Sequence, residues 1–431
     1  MFLKLFARML APLLLSIFLP LSGAHATTMN ILYSFCSVPT YCQDGYGPSG
    51  SLLPDGSGGF YGTAASSGPN GGGVVFHLTA AGGTWSSEVV YSFCAQPDCS
   101  DGSVPMSGVI ADEAGNLYGV TTYKGNSNNG GTIYKLIPYA GHTKWKIKVL
   151  HRFCALANCA DGKFSNGLAY VGQAAGVPYD GTSPLYGTTS SSGANSGGVA
   201  YSLTPDGSKW RFKVLHTFGD PNSAGDGASP SRLVIDSVGD MFVPTNEGGA
   251  HRSGAVVKFT PKRAGEFKES IVYSFCSQAG CADGSGPGAP LILDAAGNLF
   301  GTTSGGGGGH SDGSVLKLAP NGNHYDLTTL YSFCSQSDCP DGMGPGQLTL
   351  DSQGHIYGTT VYGGDPNMSG GVVFTLNPTF HLLYVFCSQS PTCKDGQYPG
   401  GALIVDGQNK VFGLTYNGGA HNSGEFFEIS P

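Results

Sequence analysis

The stretch Thr329–Leu376, TLYSFCSQSDCPDGMGPGQLTLDSQGHIYGTTVYGGDPNMSGGVVFTL, decides the fold of this chain. A Tyr-Ser-Phe-Cys strand end leads into a loop with a second Cys and an Asp-Gly. An apolar strand, a Gly turn, a Tyr-Gly-Thr-Thr strand, a Gly-rich loop and a Val-Val-Phe strand follow. The stretch recurs with small changes, and a fixed period of this kind indicates a repeat architecture. The seven Tyr-Ser-Phe positions begin at Tyr33, Tyr91, His151, His216, Tyr273, Tyr331 and Tyr384.

Each repeat supplies four strands, which we call a, b, c and d. In the fifth repeat they are predicted at Leu291–Asp294, Leu299–Thr303, Ser314–Leu318 and Thr328–Phe333. The apolar run of strand a is typical of a strand buried on both faces, so strand a is expected to lie innermost. Four short antiparallel strands per repeat predict an all-β fold, a seven-bladed β-propeller.

The two ends of the chain are offset by one strand. The first element, Met29–Phe35, matches strand d, whereas Gly424–Ser430 matches strand c and has no strand d after it. In a ring, the N-terminal strand completes the last blade and removes the exposed strand edges that template aggregation. We therefore expect a ring that the N-terminal strand closes.

The first 26 residues have the pattern of a signal peptide. Lys4 and Arg8 precede the apolar run Met9–Leu21, and Ala24-His25-Ala26 matches a cleavage site. An uncleaved anchor is the alternative, but the run is short for a span of about 20 residues and contains prolines. The prediction is therefore a signal peptide over 1–26 and one repeat domain over 27–431. The mature chain is expected to be exported to the periplasm or the extracellular space, without a membrane span and as a monomer.

Charge argues against one class of partner. The whole chain carries a formal charge of −8, and removal of the two basic residues of the signal segment leaves 19 Lys and Arg against 29 Asp and Glu. Nucleic-acid-binding proteins carry a basic footprint. Nucleic acid is therefore not an expected partner.

Twelve cysteines fall into six local pairs. In an exported protein such pairs are expected to be oxidised to disulfides, and the one repeat that lacks the first Cys also lacks the second. The alternative treats each pair as half of a zinc site, but the remaining ligands would have to come from neighbouring blades. The predicted disulfides are Cys36–Cys42, Cys94–Cys99, Cys154–Cys159, Cys276–Cys281, Cys334–Cys339 and Cys387–Cys393.

The Gly-rich b–c loops place one equivalent position per repeat on the same face as the cysteines. Asparagine and histidine dominate this position, and both side chains suit sugar hydroxyls or, for His, a metal. The alternative is that these residues suit loop tips with unusual backbone angles. The position reads Asn70, Asn128, Asn195, His251, His310, Met368 and His421, and the six Asn and His form a predicted ligand-binding rim.

An Asp-Gly pair recurs in every repeat. A ring of carboxylates suits calcium, which takes six to eight oxygen ligands, but a repeated Asx turn explains the same pattern. No cofactor is expected, and calcium is left open. The seven carboxylates are those of Asp44, Asp101, Asp161, Asp226, Asp283, Asp341 and Asp395.

A catalytic site is expected once rather than seven times. The third repeat has an insertion, Val171–Ser183, and non-repeated polar residues concentrate in the third and fourth repeats. Glu247 and His251 form a candidate acid/base pair, and Arg252 is a candidate clamp for a carboxylated sugar. The remaining non-repeated polar residues are His151, Arg152, His216, Asp220 and Arg232, of which His151 and His216 replace the strand-d Tyr and are expected to be packed.

The repeat itself resembles a known family. Tyr-Ser-Phe, Asp-Gly, Asp-x-x-Gly-Asn-Leu-Tyr-Gly-Thr-Thr and Gly-Gly-x-Val-Phe, in this order, are similar to the GloVer-type tandem repeat of bacterial secreted and surface proteins. The resemblance covers nearly the whole mature chain. It implies an exported repeat protein, in a family of which many members carry a C-terminal sorting anchor, and it implies no activity.

Three hypotheses for function remain. The leading one is a non-catalytic extracellular module that binds glycan or cell-envelope material, because exposed Tyr, Asn, Ser and Thr on a Gly-rich rim suit sugar hydroxyls. The second is a polysaccharide lyase or hydrolase that uses the third and fourth blades. The third is a structural component of a surface or matrix. A fold alone does not choose among them, since one fold hosts many functions.

Overall fold

A computed structural model describes residues 27–37, 42–139, 141, 144–220, 225–308, 312–365, 369–388 and 392–430. The predicted signal peptide, 1–26, lies outside the described residues. Strands and turns form seven separate antiparallel sheets, which are the seven predicted blades.

The chain begins with a strand that belongs to the last blade, and the first two complete blades follow it. Blade 1 has a strand a divided in two. The strands are β1 (Thr28–Ser34), then β2 (Tyr46–Pro48), β3 (Leu53–Pro54), β4 (Phe60–Ser66), β5 (Val74–Ala81) and β6 (Thr84–Ser92) in blade 1, and β7 (Ile110–Ala111), β8 (Leu117–Thr121), β9 (Thr132–Pro138) and β10 (Trp145–Arg152) in blade 2.

Blades 3 and 4 are the two that depart from the repeat in sequence, yet each keeps the order a, b, c, d. Strand a of blade 4 is also divided. The strands are β11 (Lys163–Ala169), β12 (Leu185–Ser191), β13 (Val199–Asp206) and β14 (Lys209–Thr217) in blade 3, and β15 (Ala228–Pro230), β16 (Val234–Ile235), β17 (Met241–Glu247), β18 (Ala255–Pro261) and β19 (Phe267–Ser274) in blade 4.

Blades 5 to 7 complete the ring. The strands are β20 (Ile292–Leu293), β21 (Leu299–Thr303), β22 (Ser314–Asn321) and β23 (His324–Ser332) in blade 5, β24 (Met343–Leu350), β25 (Ile356–Tyr362), β26 (Val372–Asn377) and β27 (Thr379–Val385) in blade 6, and β28 (Gln397–Val405), β29 (Val411–Asn417) and β30 (Glu425–Ser430) in blade 7. Single 3₁₀ turns lie at Pro97–Cys99, Ala157–Cys159, Gln173–Ala175, Arg263–Gly265 and Ala279–Cys281. Strand b of blade 5 has the predicted bounds, whereas strand d begins four residues earlier than predicted, at His324.

The N-terminal strand closes the ring as predicted. β1 pairs antiparallel with β30, from Thr28 opposite Ser430 to Ser34 opposite Glu425. Blade 7 therefore has the order β1-β30-β29-β28, with its outer strand taken from the other end of the chain. Both the fold class and the strand offset of the sequence are confirmed.

A backbone hydrogen bond joins each blade to the next. In each repeat, the fourth residue of the segment Asp-Gly-x-x donates its N–H to a carbonyl in the b–c loop of the preceding blade, at 2.8 to 3.1 Å. Seven such bonds complete the ring, and the last of them, from Gly47 to Ser423, joins blade 1 to blade 7. The donors are Gly47, Val104, Phe164, Ser229, Gly286, Gly344 and Tyr398.

The core lies between the blades. In every repeat the Phe of Tyr-Ser-Phe is at most 1% exposed and packs between neighbouring sheets. Burial of one such ring stabilises the fold by about 1.5–3 kcal/mol. These residues are Phe35, Phe93, Phe153, Phe218, Phe275, Phe333 and Phe386.

Candidate binding site at the propeller axis

The cysteine loops and the b–c loops lie on one face, which we call the upper face. The second Cys of each pair accepts, through its carbonyl, a hydrogen bond from a b–c-loop glycine of the same blade; Gly364 N–H to Cys339 O, at 2.9 Å, is one example. The same bond occurs in all six cysteine-bearing blades. The a–b and c–d turns form the opposite, lower face.

All twelve cysteines form the six predicted disulfides. Each bond closes the d–a loop of one blade, and its two cysteines are separated by five or six positions in sequence. Disulfides of this density are typical of proteins of oxidising compartments. Within the described residues, no helix is long and apolar enough to cross a membrane.

The repeated Asp anchors the cysteine loop rather than acting as a plain turn former. In blade 5 the Asp283 carboxylate accepts hydrogen bonds from the Tyr273 hydroxyl at 2.8 Å and from the Ser277 N–H at 2.9 Å. Burial opposes ionisation of Asp283, but the bonds from Ser277 and Tyr273 outweigh it and lower its pKa. The strand-d residue and the Asp pair in every blade, as Tyr33–Asp44, Tyr91–Asp101, His151–Asp161, His216–Asp226, Tyr273–Asp283, Tyr331–Asp341 and Tyr384–Asp395.

Sequence reasoning missed this pairing, although the signal was present. The residue ten or eleven positions before the Asp is Tyr in five repeats and His in two, so a hydrogen-bond donor is always there. His151 and His216 are packed in the Tyr position, as expected. Burial and Asp44 raise the pKa of Tyr33 to about 12, so its hydroxyl stays a donor. A calcium ion on these carboxylates stays a prediction.

The predicted Asn/His rim lies on the upper face, over the outer strands. Asn70 and Asn128 use their side-chain amides to bond the carbonyls of Ser92 and Cys154, at 3.1 and 2.9 Å. These two asparagines therefore hold their loops in place. Asn195, His251 and His421 are exposed, and His310 lies outside the described residues. The rim remains a prediction.

The predicted catalytic residues are close in sequence but differ in environment. Glu247, partly buried at the end of β17, accepts a hydrogen bond from the Ser229 hydroxyl at 3.2 Å. His251 and Arg252 are exposed in the b–c loop. Among the described residues, no hydrogen bond joins Glu247 to His251. The acid/base pair of Glu247 and His251 therefore stays a prediction.

Two described groups have side chains that could ligate a metal: Asp312 with Cys334 and Cys339, whose sulfurs form a disulfide, and a histidine between two carboxylates. His216 contacts Asp226 through Nε2 and Glu269 through Nδ1, the latter at 3.2 Å. Burial raises the pKa of Glu269. Both imidazole nitrogens of His216 thus already have carboxylate partners within the protein.

All seven blades line a polar cavity on the propeller axis, below the upper face. It has a volume of about 390 Å³ and receives residues from the start of each strand a. Hydroxyl and amide side chains dominate its wall, and Arg232 is the charged residue among its described lining. The polar side chains are Ser49, Ser51, Ser107, Thr122, Ser165, Asn166, Ser190, Ser231, Arg232 and Gln347.

A second, apolar cavity continues along the axis toward the lower face. Its volume is about 350 Å³, and leucines, isoleucines and valines at the ends of the a strands line it. Arg232 and Gln347 line both cavities, so they lie where the two meet. Gln173 and Ala174 of the blade 3 insertion also line the lower cavity. The insertion therefore reaches the axis.

Aromatic pairs bridge adjacent blades at the upper end of strand b, on the same face as the cysteine loops. Tyr123 packs edge-on against Phe164 at 5.2 Å between ring centroids, and Phe164 lines the polar cavity. Equivalent or neighbouring positions hold two further pairs, Tyr362–Tyr398 at 5.4 Å and Tyr46–Tyr416 at 6.2 Å. Tyr123 and Tyr362 are 38% and 47% exposed. Tyrosine side chains, which combine an apolar ring with a polar hydroxyl, are common at interfaces.

Two of these aromatics occupy a strained backbone position. Phe164 and Tyr398 have φ of 62° and 59°, in the left-handed region. Val104 and Ser229 hold the same position in blades 2 and 4 with φ of 60° and 52°, and the position is Gly47, Gly286 and Gly344 in blades 1, 5 and 6. A non-glycine residue there costs about 1–3 kcal/mol and is commonest at functional sites. Four of the seven blades thus place a non-glycine residue here, and in blades 3 and 7 that residue is aromatic.

The fold and its axial cavity define a seven-bladed propeller with a candidate ligand site on the upper face. The chain belongs to the Gloeobacter/Verrucomicrobia repeat family, whose model matches residues 22–183, 163–339 and 270–431. The resemblance seen in the sequence is thereby confirmed.

Solved structures show similarity in fold alone. A puromycin hydrolase mutant complexed with PGG is 12% identical, with a TM-score of 0.50, over 85% of this chain and 50% of that chain. A protein of unknown function from Dyadobacter fermentans is 10% identical, with a TM-score of 0.43, over 94% of this chain and 98% of that one. A luciferin-regenerating enzyme is 11% identical, with a TM-score of 0.41, over 75% of this chain and 90% of that chain. No curated protein matches the sequence.

Proposed function

We propose that the protein is a secreted, non-catalytic binding module for extracellular glycan or cell-envelope material, with its ligand on the upper face at the propeller axis. The observation that carries the proposal is the polar axial cavity, with Phe164 in its wall and further aromatic rings exposed on the same face. Sugars present hydroxyl groups at their edges and C–H groups on their faces. Amide and hydroxyl side chains suit the former, and Tyr123 and Tyr362 suit the latter.

The chemistry of the cavity favours binding over glycoside hydrolysis. Hydrolysis of a glycosidic bond is generally carried out by a pair of carboxyl groups on either side of it. The described lining holds hydroxyls, amides and one guanidinium, and it holds neither a carboxylate nor an imidazole. A polysaccharide-degrading enzyme that uses Glu247, His251 and Arg252 remains the alternative, and a structural matrix protein is the third.

The test is retention of the mature protein on a panel of insoluble or immobilised polysaccharides, with released sugar measured in the same tubes. Wild-type protein is expected to stay on at least one glycan without releasing sugar ends. The variants Tyr123→Ala and Tyr362→Ala are expected to lose retention. Tyr139→Ala is the matched control, because Tyr139 is 57% exposed at the end of β9, on the lower face.

A second variant separates the aromatic side chain from the backbone that carries it. Tyr398→Gly removes the ring and supplies the residue that blade 6 uses at Gly344 with nearly the same φ. It is expected to fold and to bind less. Soluble sugar products would replace this proposal with the enzyme hypothesis. Absence of retention on every glycan would favour the structural role.

A further inference from the structure

Arg232 is an isolated cation at the axis. It stands immediately before the apolar part of strand a in blade 4, where the other blades place small or neutral residues. The corresponding residues are Ser51, Gly108, Gly167, Pro290, Gln347 and Ala402. Arg232 is also the one charged side chain that the described lining of the polar cavity contains.

The neighbouring blade leaves room for this side chain. A Cβ atom added at Gly167 would lie 3.0 Å from Arg232 Cδ and 3.4 Å from Ser107 Cβ. Any side chain at Gly167 would therefore press on the arginine stem. Since Gly167 also has a φ of +127°, a glycine is needed here for both space and conformation. The absence of a side chain at Gly167 thus leaves space for the arginine stem beside blade 3.

The protein supplies no counter-charge to this guanidinium. In the described parts of the chain, Arg232 has neither an ion pair nor a hydrogen bond to its side chain, and the cavity wall has no carboxylate. Burial lowers the pKa of Arg232, but an arginine stays charged in proteins. Arg232 is partly buried at the cavity wall, and a partly buried cation without a partner is costly, so a ligand anion would reduce that cost.

Polar groups of the same cavity wall are also left unpaired. The hydroxyls of Ser49 and Ser107 are buried at the cavity wall with no hydrogen-bond partner in the described protein. Gln347, where the two cavities meet, accepts a long bond of 3.3 Å from Ser51. Unpaired hydroxyls and a cation in one cavity match a ligand that carries both hydroxyls and an acid group.

We propose that the polar cavity binds the carboxylate of an acidic sugar, a uronic acid, and that Arg232 is the residue that holds this carboxylate. The inference rests on the proposed function and narrows its ligand class. A single guanidinium balances a carboxylate monoanion and pairs with it through two parallel hydrogen bonds. A phosphate dianion would need a second cation, which the described cavity wall lacks. A volume of about 390 Å³ is within the range of small-molecule sites.

The test is titration calorimetry of the full mature protein with D-glucuronate and D-galacturonate, beside D-glucose, glucose 6-phosphate and inorganic phosphate. At least one uronate is expected to bind more tightly than glucose by about tenfold or more. Arg232→Met is expected to remove that preference, and Arg232→Lys to restore only part of it, because lysine lacks the planar fork. Arg263→Met is the matched control: Arg263 is exposed on the c–d turn of the same blade, on the lower face.

Each outcome decides one point. Uronate binding that Arg232→Met leaves unchanged, or no uronate binding by the wild type, overturns the inference, even where polysaccharide retention supports the proposed function. Arg232-dependent binding of free uronate without retention on any polysaccharide supports the inference and counts against the glycan module. Tighter binding of phosphate or glucose 6-phosphate overturns the carboxylate assignment. If Arg232→Met does not fold, the test uses Arg232→Lys instead. A preference for uronate over glucose that is present in the wild type and weaker in Arg232→Lys then supports the inference, and an equal preference overturns it.

Discussion

The Ser34 hydroxyl donates a 2.7 Å hydrogen bond to the Glu425 carboxylate, and this bond links the first strand of the chain to the last. Glu425 is fully buried at the start of β30. Burial raises its pKa to about 7, although the bonds from Ser34 and the Ala420 N–H oppose the shift. The equivalent residues of blades 1 to 6 are uncharged: Val74, Thr132, Val199, Ala255, Ser314 and Val372.

Glu425→Gln is expected to stabilise the protein above neutral pH. The folded pKa of Glu425 lies above the unfolded value, so the folded state binds the extra proton between pH ~4.3 and 7 and stability falls as pH rises through that range. The loss, up to about 4 kcal/mol at 1.4 kcal/mol per pKa unit, is absent in the amide variant. Urea unfolding at pH 5 and pH 8 measures it, with exposed Glu88→Gln as control. Equal stabilities of variant and wild type at pH 8 would contradict the expectation.

Asp283→Asn is expected to destabilise the fold by about 1–3 kcal/mol at neutral pH, because several donors around a buried carboxylate lose their acceptor. The hydrogen bonds hold the folded pKa of Asp283 below its unfolded value. Its contribution is therefore present above pH ~4 and is lost as pH falls through the folded pKa. The gap between the two proteins in urea unfolding should narrow at acid pH.

The control for that variant is Asp206→Asn, since Asp206 pairs with Arg211 on the surface at 60% and 74% side-chain exposure. A surface pair of this kind contributes at most about 1 kcal/mol. If both variants behave alike, the Tyr–Asp pair is not an anchor.

The architecture could be predicted from the sequence because the seven repeats can be aligned with one another. Strand b of blade 5, the ring closure and all six cysteine pairs follow from comparing seven copies of one pattern. Within one sheet, the period-2 alternation and the turn glycines fix which residues face inward. Local chemistry thus decided most of the fold.

The candidate site was harder to predict because it is assembled from residues that are distant in sequence. Arg232 was visible as a non-repeated polar residue, but its neighbours Ser107 and Gly167 come from other blades. The Tyr362–Tyr398 and Tyr123–Phe164 pairs likewise cross a blade boundary. The sequence pattern of a single repeat does not show which side chains of different blades meet at the propeller axis.

Replacement of both Cys334 and Cys339 by Ser is expected to lower the free energy of unfolding by about 2 kcal/mol, the chain-entropy effect of a small closed loop. The blade should still form, because blade 4 forms its d–a connection without cysteines and keeps the pairing of His216 with Asp226. Guanidinium unfolding with and without reductant measures the effect. Reductant should shift the wild type further than the variant, which has one disulfide fewer; an equal shift would contradict this.

Removal of residues 27–35 is expected to open the ring. The truncated chain loses the whole of β1 together with Phe35, whose ring is fully buried, and removal of such a ring alone costs about 3–5 kcal/mol. It also exposes the edge of β30, which invites pairing with other chains. We expect a lower melting temperature and self-association, measured by circular dichroism and size-exclusion chromatography.

A peptide of residues 27–35 should restore the monomer and raise the melting temperature when added in trans, because β1 pairs with β30 alone within its sheet. The same peptide with Phe35→Ala is the control and should restore little, since it keeps the backbone pairing and loses the buried ring. If the truncated chain melts and elutes as the intact one does, the N-terminal strand is not what holds the ring closed. Rescue by both peptides alike would assign closure to the strand pairing rather than to the packing of Phe35.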